Sequence, residues 1–141
     1  MSQSIFYANA GMGKNVKGVA LVAKDGFSAR YDLDRIHGVF SRPEHKLAGQ
    51  SYKDRVLILD AAKGGVATAW MLYEMAARGI VPSALVLNAV NPIMVQGTAL
   101  AGMTLISGFD QDITQAIADG ASVEIEPNGQ RPFIRVVERS T

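Results

Sequence analysis

The sequence contains no cysteine. That absence removes disulfides, thiolate metal sites and thiol nucleophiles together, and it suits a reducing cytoplasm. Histidine is nearly as scarce. His37 and His45 are the only two, neither at paired-ligand spacing, so a self-contained metal site is not expected. No apolar run approaches the roughly 20 residues of a membrane span. The start, MSQSIFYANAGMGK, has neither the basic opening nor the continuous apolar core of a secretory signal. The expectation is a cytoplasmic protein. Charge of one sign is missing too: 14 basic residues face 13 acidic ones. No electrostatic case for nucleic acid or an anionic membrane arises. What remains is a chain of 141 residues, 48% apolar and 19% charged. That is enough for one domain, residues 1–141, with a real core.

VKGVALVAK (16–24) has strand composition, and FSARYDLD (27–34) alternates as a second strand would. RIHGVFSRPEHKLAGQS (35–51) is irregular, broken by Gly38, Pro43 and Gly49, and long for a connection. RVLILD (55–60) is a continuous apolar run of strand length, the pattern of a strand covered on both faces. A helix is predicted from about Val66 to Arg78, ended by Gly79. SALVLNA (83–89) is the next buried strand. PIMVQGTALAG (92–102) is a helix with proline in its first turn. MTLIS (103–107) is a strand and DQDITQAIADG (110–120) a helix with acids at its start. SVEIE and FIRVVE alternate around the turn signal PNGQ, which makes a closing hairpin. The expected fold is therefore α/β, with mixed sheets around a central β-α-β-α-β-α region and parallel strands in its middle.

Ligands of parallel sheets bind beyond the carboxyl ends of the strands, near helix N-termini. The stretch LDAAKGGVATAW (59–70) falls there. Gly64 and Gly65 let a ligand approach the backbone. N–H groups of the first helical turn, from Val66 on, would face an anion, and Lys63 adds a full positive charge. An ordinary strand-to-helix turn with a solvated lysine reads the same way. Asn88, at the end of the next strand, could line the same cleft, or cap a turn. His45 could contact a ligand or move a proton, or be polar surface. GMGK (11–14) lacks the spacing and the preceding strand of a phosphate loop, and reads as a flexible N-terminal turn.

Taken in order, these segments resemble a known family, the small subunits of aconitase X. The residues that carry the likeness are His45, Leu47, Gly49, Gln50 and Ser51, then Arg55 to Leu59, then Lys63 and Gly64. Gly79, Pro82, Ala84 to Leu87, Gly97 and Ala99 continue it. The resemblance implies a swivelling β/β/α domain that caps a large, cysteine-containing subunit. The iron–sulfur cluster belongs to that partner, and no cofactor is expected in this chain. Together the two subunits of the family dehydrate small hydroxy acids such as cis-3-hydroxyproline or phosphomevalonate. In that setting Lys63, Gly64, Gly65, Val66, His45 and Asn88 are the candidate substrate-binding residues.

One departure matters. The family places a serine, its candidate base, directly after Lys/Arg-Gly, and here that position is Gly65. Glycine cannot abstract a proton. Thr68 is the one hydroxyl in the first turns of the helix, three residues further on, and is the candidate catalytic residue left in this chain. Arg35 stands where the family often has proline, a change that would suit another acidic group on the substrate. Besides a hydro-lyase subunit, two readings stay open: a non-catalytic anion-binding or regulatory module, and a subunit of an isomerase on the same scaffold.

Overall fold

The computed structural model describes residues 4–28, 32–62 and 66–137, with backbone only for 66–68. Ten strands and three helices follow one another among the described residues. They are β1 (Ser4–Met12), β2 (Val16–Val22), β3 (Gly26–Phe27), β4 (Leu33–Asp34), β5 (Val39–Phe40), β6 (Val56–Ala62), α1 (Val66–Arg78), β7 (Ala84–Ala89), α2 (Pro92–Leu100), β8 (Thr104–Phe109), α3 (Ile113–Ala116), β9 (Ser122–Glu126) and β10 (Phe133–Val136). None of these helices is long and apolar enough to cross a membrane.

The strands make two packed sheets that share two members. β6, β7 and β8 are parallel, and the second half of β2 joins β6 in parallel. β9 and β10 are antiparallel and pair with the first halves of β2 and β1. The second half of β1 crosses to β8. β1 and β2 are thus the corners where the chain passes from one sheet to the other. Where β2 leaves β9, the Arg55 guanidinium donates to the carbonyls of Val19 (3.2 Å) and Ala20 (2.8 Å), which occupies backbone acceptors at that corner.

Side-chain alternation along β6 and β7 divides the core. Val56, Ile58, Ala84 and Val86 point between the sheets, where they meet Ala8, Ile106, Ile113, Ile117, Val123, Ile125 and Ile134. Leu57, Leu59, Leu85 and Leu87 point the other way, onto Leu72, Met75 and Met94 of the helices and Phe40, Leu47 and Tyr52 of the long loop. The unbroken apolar runs follow from this: both faces of these strands are buried, each branched side chain contributing roughly 1.5–3 kcal/mol. The layers are sheet, sheet, helix.

Three expectations need correction. GMGK is no flexible turn: Gly11 and Met12 end β1, which holds both sheets. Glycine is required at 11 because a Cβ there would lie 2.7 Å from the Pro127 carbonyl and 2.8 Å from the Pro132 ring, so the hairpin loop rests on the strand. The predicted 110–120 helix shrinks to one turn, α3. Ile117 is already extended and buried between the sheets, and Gly120 and Ala121 hydrogen-bond to Ala20, which docks the chain beside β2. Tertiary contact overrides the helical pattern there. FSARYDLD is strand only at its ends, where Phe27 closes β3 on β6 and Leu33–Asp34 form β4 on β5, and 29–31 lie outside the described residues.

Candidate functional site

β6, β7 and β8 all deliver their carboxyl ends to one edge, and the N-termini of α1 and α2 return from it. β3 lies beside the end of β6, with Gly26 opposite Ala61 and Phe27 opposite Ala62. Lys63, Gly64 and Gly65 connect this edge to α1 but lie outside the described residues. Val66 and Thr68 open α1, and only their backbone is described. α2 starts with Asn91 as N-cap, its side chain accepting from the Met94 N–H at 2.8 Å, and Pro92 in the first turn.

Asn88 sits on this edge with its amide fully engaged. It donates to Asp60 (2.9 Å) and to Asp112 (2.8 Å), and its oxygen accepts from the Ile113 N–H (2.9 Å). Asp112 caps α3 and also accepts from the Thr114 hydroxyl at 2.7 Å, while Lys24 pairs with its other oxygen at 3.0 Å. The Thr114 hydroxyl, then the Asn88 amide and Lys24, hold the Asp112 carboxyl far below the usual carboxylate range despite the opposing effect of burial. The result is a polar strap across the ends of β6 and β7.

His45 is fully enclosed, its side chain 0% exposed. Its Nδ1 accepts from the Leu47 N–H (3.0 Å), so Nε2 carries the proton and donates to the Gly26 carbonyl (2.8 Å). The ring stacks on Phe40, 4.5 Å between centroids. Around it, Asp32 accepts from Arg42 Nε (2.6 Å) and from the Ser28 N–H (3.1 Å). Asp25 accepts from the N–H groups of Gly26 and Lys46. Burial pulls the Asp25 carboxyl upward, but those two N–H groups, with His45 and Arg42, bring it below its ordinary value. In this arrangement His45 and Asn88 shape the edge, their polar atoms committed to protein partners. Cations stand beside it: Lys24 and the partly exposed Arg42.

Sequence reasoning did not single out Asp25, Asp32, Arg42 or Asp112, and it met Asp60 only as the acid closing the apolar run within 59–70. Of the first four, Asp112 alone left a signal, as an acid at the start of a helical pattern. The partners of the others lie up to 28 residues away, as with Asp60 and Asn88. Among the described residues no group of three or more His, Cys, Asp or Glu is arranged to hold a metal ion.

Residues 5–135 match the family described as the aconitase X swivel domain. The chain belongs to that family. Its relatives include the phosphomevalonate dehydratase small subunit of Methanopyrus kandleri, 30% identical over 82% of this chain and 85% of that one. The phosphomevalonate dehydratase small subunit of Methanocella arvoryzae is 28% identical over 81% of this chain and 86% of that one. The crystal structure of Thermococcus kodakaraensis aconitase X in its holo-form superposes with a TM-score of 0.87, at 17% identity, over 96% of this chain and 99% of that one. That last likeness is one of fold.

Proposed function

We propose that this chain is the small subunit of a cytoplasmic hydro-lyase that removes water from a small hydroxy acid, acting with a cysteine-containing large subunit. The observation that carries the reading is the family match over residues 5–135, beside relatives named as dehydratase small subunits. The edge geometry supports it. The ends of parallel strands β6 and β7 and the N-termini of α1 and α2 share one edge, an arrangement suited to a substrate carboxylate or phosphate.

In this reading Lys63, Gly64, Gly65 and Val66 bind the anionic end of the substrate, and His45 and Asn88 hold the surrounding edge in place. The iron–sulfur cluster belongs to the large subunit. This chain has no cysteine, and its described side chains do not form a metal-binding group, so its residues do not fit a cluster. Their part is to bind, orient and shield. The proton acceptor is either Thr68 or a group of the large subunit. Gly65 at the family's serine position is the observation that favours the second reading, a non-catalytic anion-binding module.

Anaerobic co-expression with a cysteine-containing large subunit of the aconitase X family tests this. Phosphomevalonate, cis-3-hydroxyproline and related hydroxy acids would be offered, and loss of one water followed by mass. Turnover by the pair establishes the dehydratase. Binding of the anions without turnover establishes the module. In an active pair, Thr68→Val lowers kcat by about 100-fold or more if Thr68 is the base, in line with what a general base contributes, and leaves it unchanged if the base lies in the partner.

A further inference from the structure

One hollow on the helical side of the sheet is apolar, with a single buried hydroxyl left open in it. β8 lies between β7 and β1, with Ser107 opposite Leu87 on one side and Ala10 on the other. Leu87 faces the helices, so Ser107 and Ala10 face them too. Met12 and Leu105 make the next pair on that face. Ala10 and Ser107 are too small to fill the space beside α2. A hollow of about 240 Å³ remains, which Val90 and Val95 reach from the helical layer. No charged residue lines it. Ser107 is only 6% exposed. Its hydroxyl meets no hydrogen-bond partner among the described residues and is not sealed from water, so it opens into the hollow it lines. The buried hydroxyls of Thr98 and Thr104 behave differently: they donate to the carbonyls of Met94 (2.7 Å) and Lys14 (2.6 Å). That pairing is the rule for a buried polar group, and Ser107 departs from it.

We propose that this hollow binds a small uncharged molecule, a mostly hydrocarbon body whose one hydroxyl or carbonyl group bonds to Ser107. The inference goes beyond the dehydratase reading and does not depend on it. Size sets the scale of the ligand. A dry cavity of about 150 Å³ already takes benzene, so about 240 Å³ has room for a ring or a short branched chain together with its polar group. Charge sets its class. An ion would give up its hydration among Met12, Val90, Val95 and Leu105 for a single hydrogen bond, which is a strongly unfavourable exchange. An apolar side chain of another protein fits poorly for the opposite reason. It would cover the Ser107 hydroxyl and leave it buried without a partner. A hydroxyl or carbonyl on the ligand completes that bond, and the hydrocarbon body covers the rest of the lining. The apolar groove between α1 and α2 lacks this feature, because its polar lining residue, Gln96, is exposed to water.

The test uses the full chain with phenol as the probe, benzene as its counterpart without the hydroxyl and benzoate as its charged counterpart. Amide and methyl NMR shifts report binding to the unaltered chain, to Ser107→Ala and to Ala10→Leu, and circular dichroism reports folding. Ala10 is exposed, so a leucine there occupies the mouth of the hollow without entering the core. Phenol at millimolar concentration is expected to shift Val90, Val95, Leu105 and Ser107. It should bind about 5-fold more tightly than benzene, as one neutral hydrogen bond allows, and benzoate should leave these signals in place. Ser107→Ala should bind phenol and benzene alike, and Ala10→Leu should lose the shifts. Absence of phenol shifts at these residues overturns the site, and so does phenol binding unchanged in folded Ala10→Leu. Equal binding of phenol and benzene by the unaltered chain, or an unchanged preference in Ser107→Ala, overturns the role of Ser107 and the proposal with it. Benzoate binding as tightly as phenol overturns the uncharged class. None of these outcomes bears on the dehydratase reading.

Discussion

Arg55 stands at the start of β6 and donates to two carbonyls of β2, the strand that changes sheets beside it. Methionine keeps the stem and removes the donors. Arg55→Met is therefore expected to cost about 1.5–3 kcal/mol, the range for hydrogen bonds to a charged group, read as a lowered midpoint in urea. Asp112 makes a pH prediction. Its folded pKa is depressed by Thr114, Asn88 and Lys24, so its stabilisation is complete above the ordinary carboxylate value near 3.8 and is lost as pH falls toward the folded value. Asp112→Asn should be less stable than the unaltered chain at neutral pH. The gap should narrow below about pH 4, where melting temperatures across pH 2–7 would show the two curves converging. The role of Arg55 was not legible in the sequence, and Asp112 showed only as an acid at the start of a helical pattern. Asn88 could be placed at the strand end, but its three partners come from β6 and the start of α3, 24 to 28 residues away. His45 likewise has the composition of a loop histidine until the Gly26 carbonyl closes over it from 19 residues upstream.

α1 and α2 touch through Gly97 and Ala69 at a distance that leaves no room for a methyl group. Gly97→Ala gains about 1 kcal/mol of helix propensity but forces backbone apart in a packed layer, an overpacking cost of about 1–3 kcal/mol. A net loss of up to about 2 kcal/mol is expected, measurable as a lower melting temperature. The parallel strands and both long helices were readable because local pattern and tertiary demand agree in them: Leu57 and Leu59 face the helices, Val56 and Ile58 the second sheet. β1 was not readable. YANAGM lacks the β-branched pattern of a strand, and its place is fixed by pairing with β8 and β10 at the other end of the chain. α3 was misjudged in length because the demand for Ile117 in the inter-sheet core is invisible to periodicity. The edge between β6 and α1 was visible as a position, since a strand-to-helix turn with two glycines announces itself, while the strap behind it was not.

At the scale of the molecule the two cores share the sheet of β6, β7 and β8, and β1 and β2 belong to both sheets. Neither core can open without exposing a wall of the other. Unfolding in urea is therefore expected to be a single transition, with far-UV signal, Trp70 fluorescence and near-UV signal superimposing. Separated midpoints would show that the inter-sheet core survives the loss of the helical layer. The corner strands have another effect, on how one folded copy meets another. Because β1 and β2 divide their length between two sheets, neither presents a long flat edge, and the outermost strand, β3, is only two residues long. A folded copy thus offers other copies little template for strand-to-strand polymerisation.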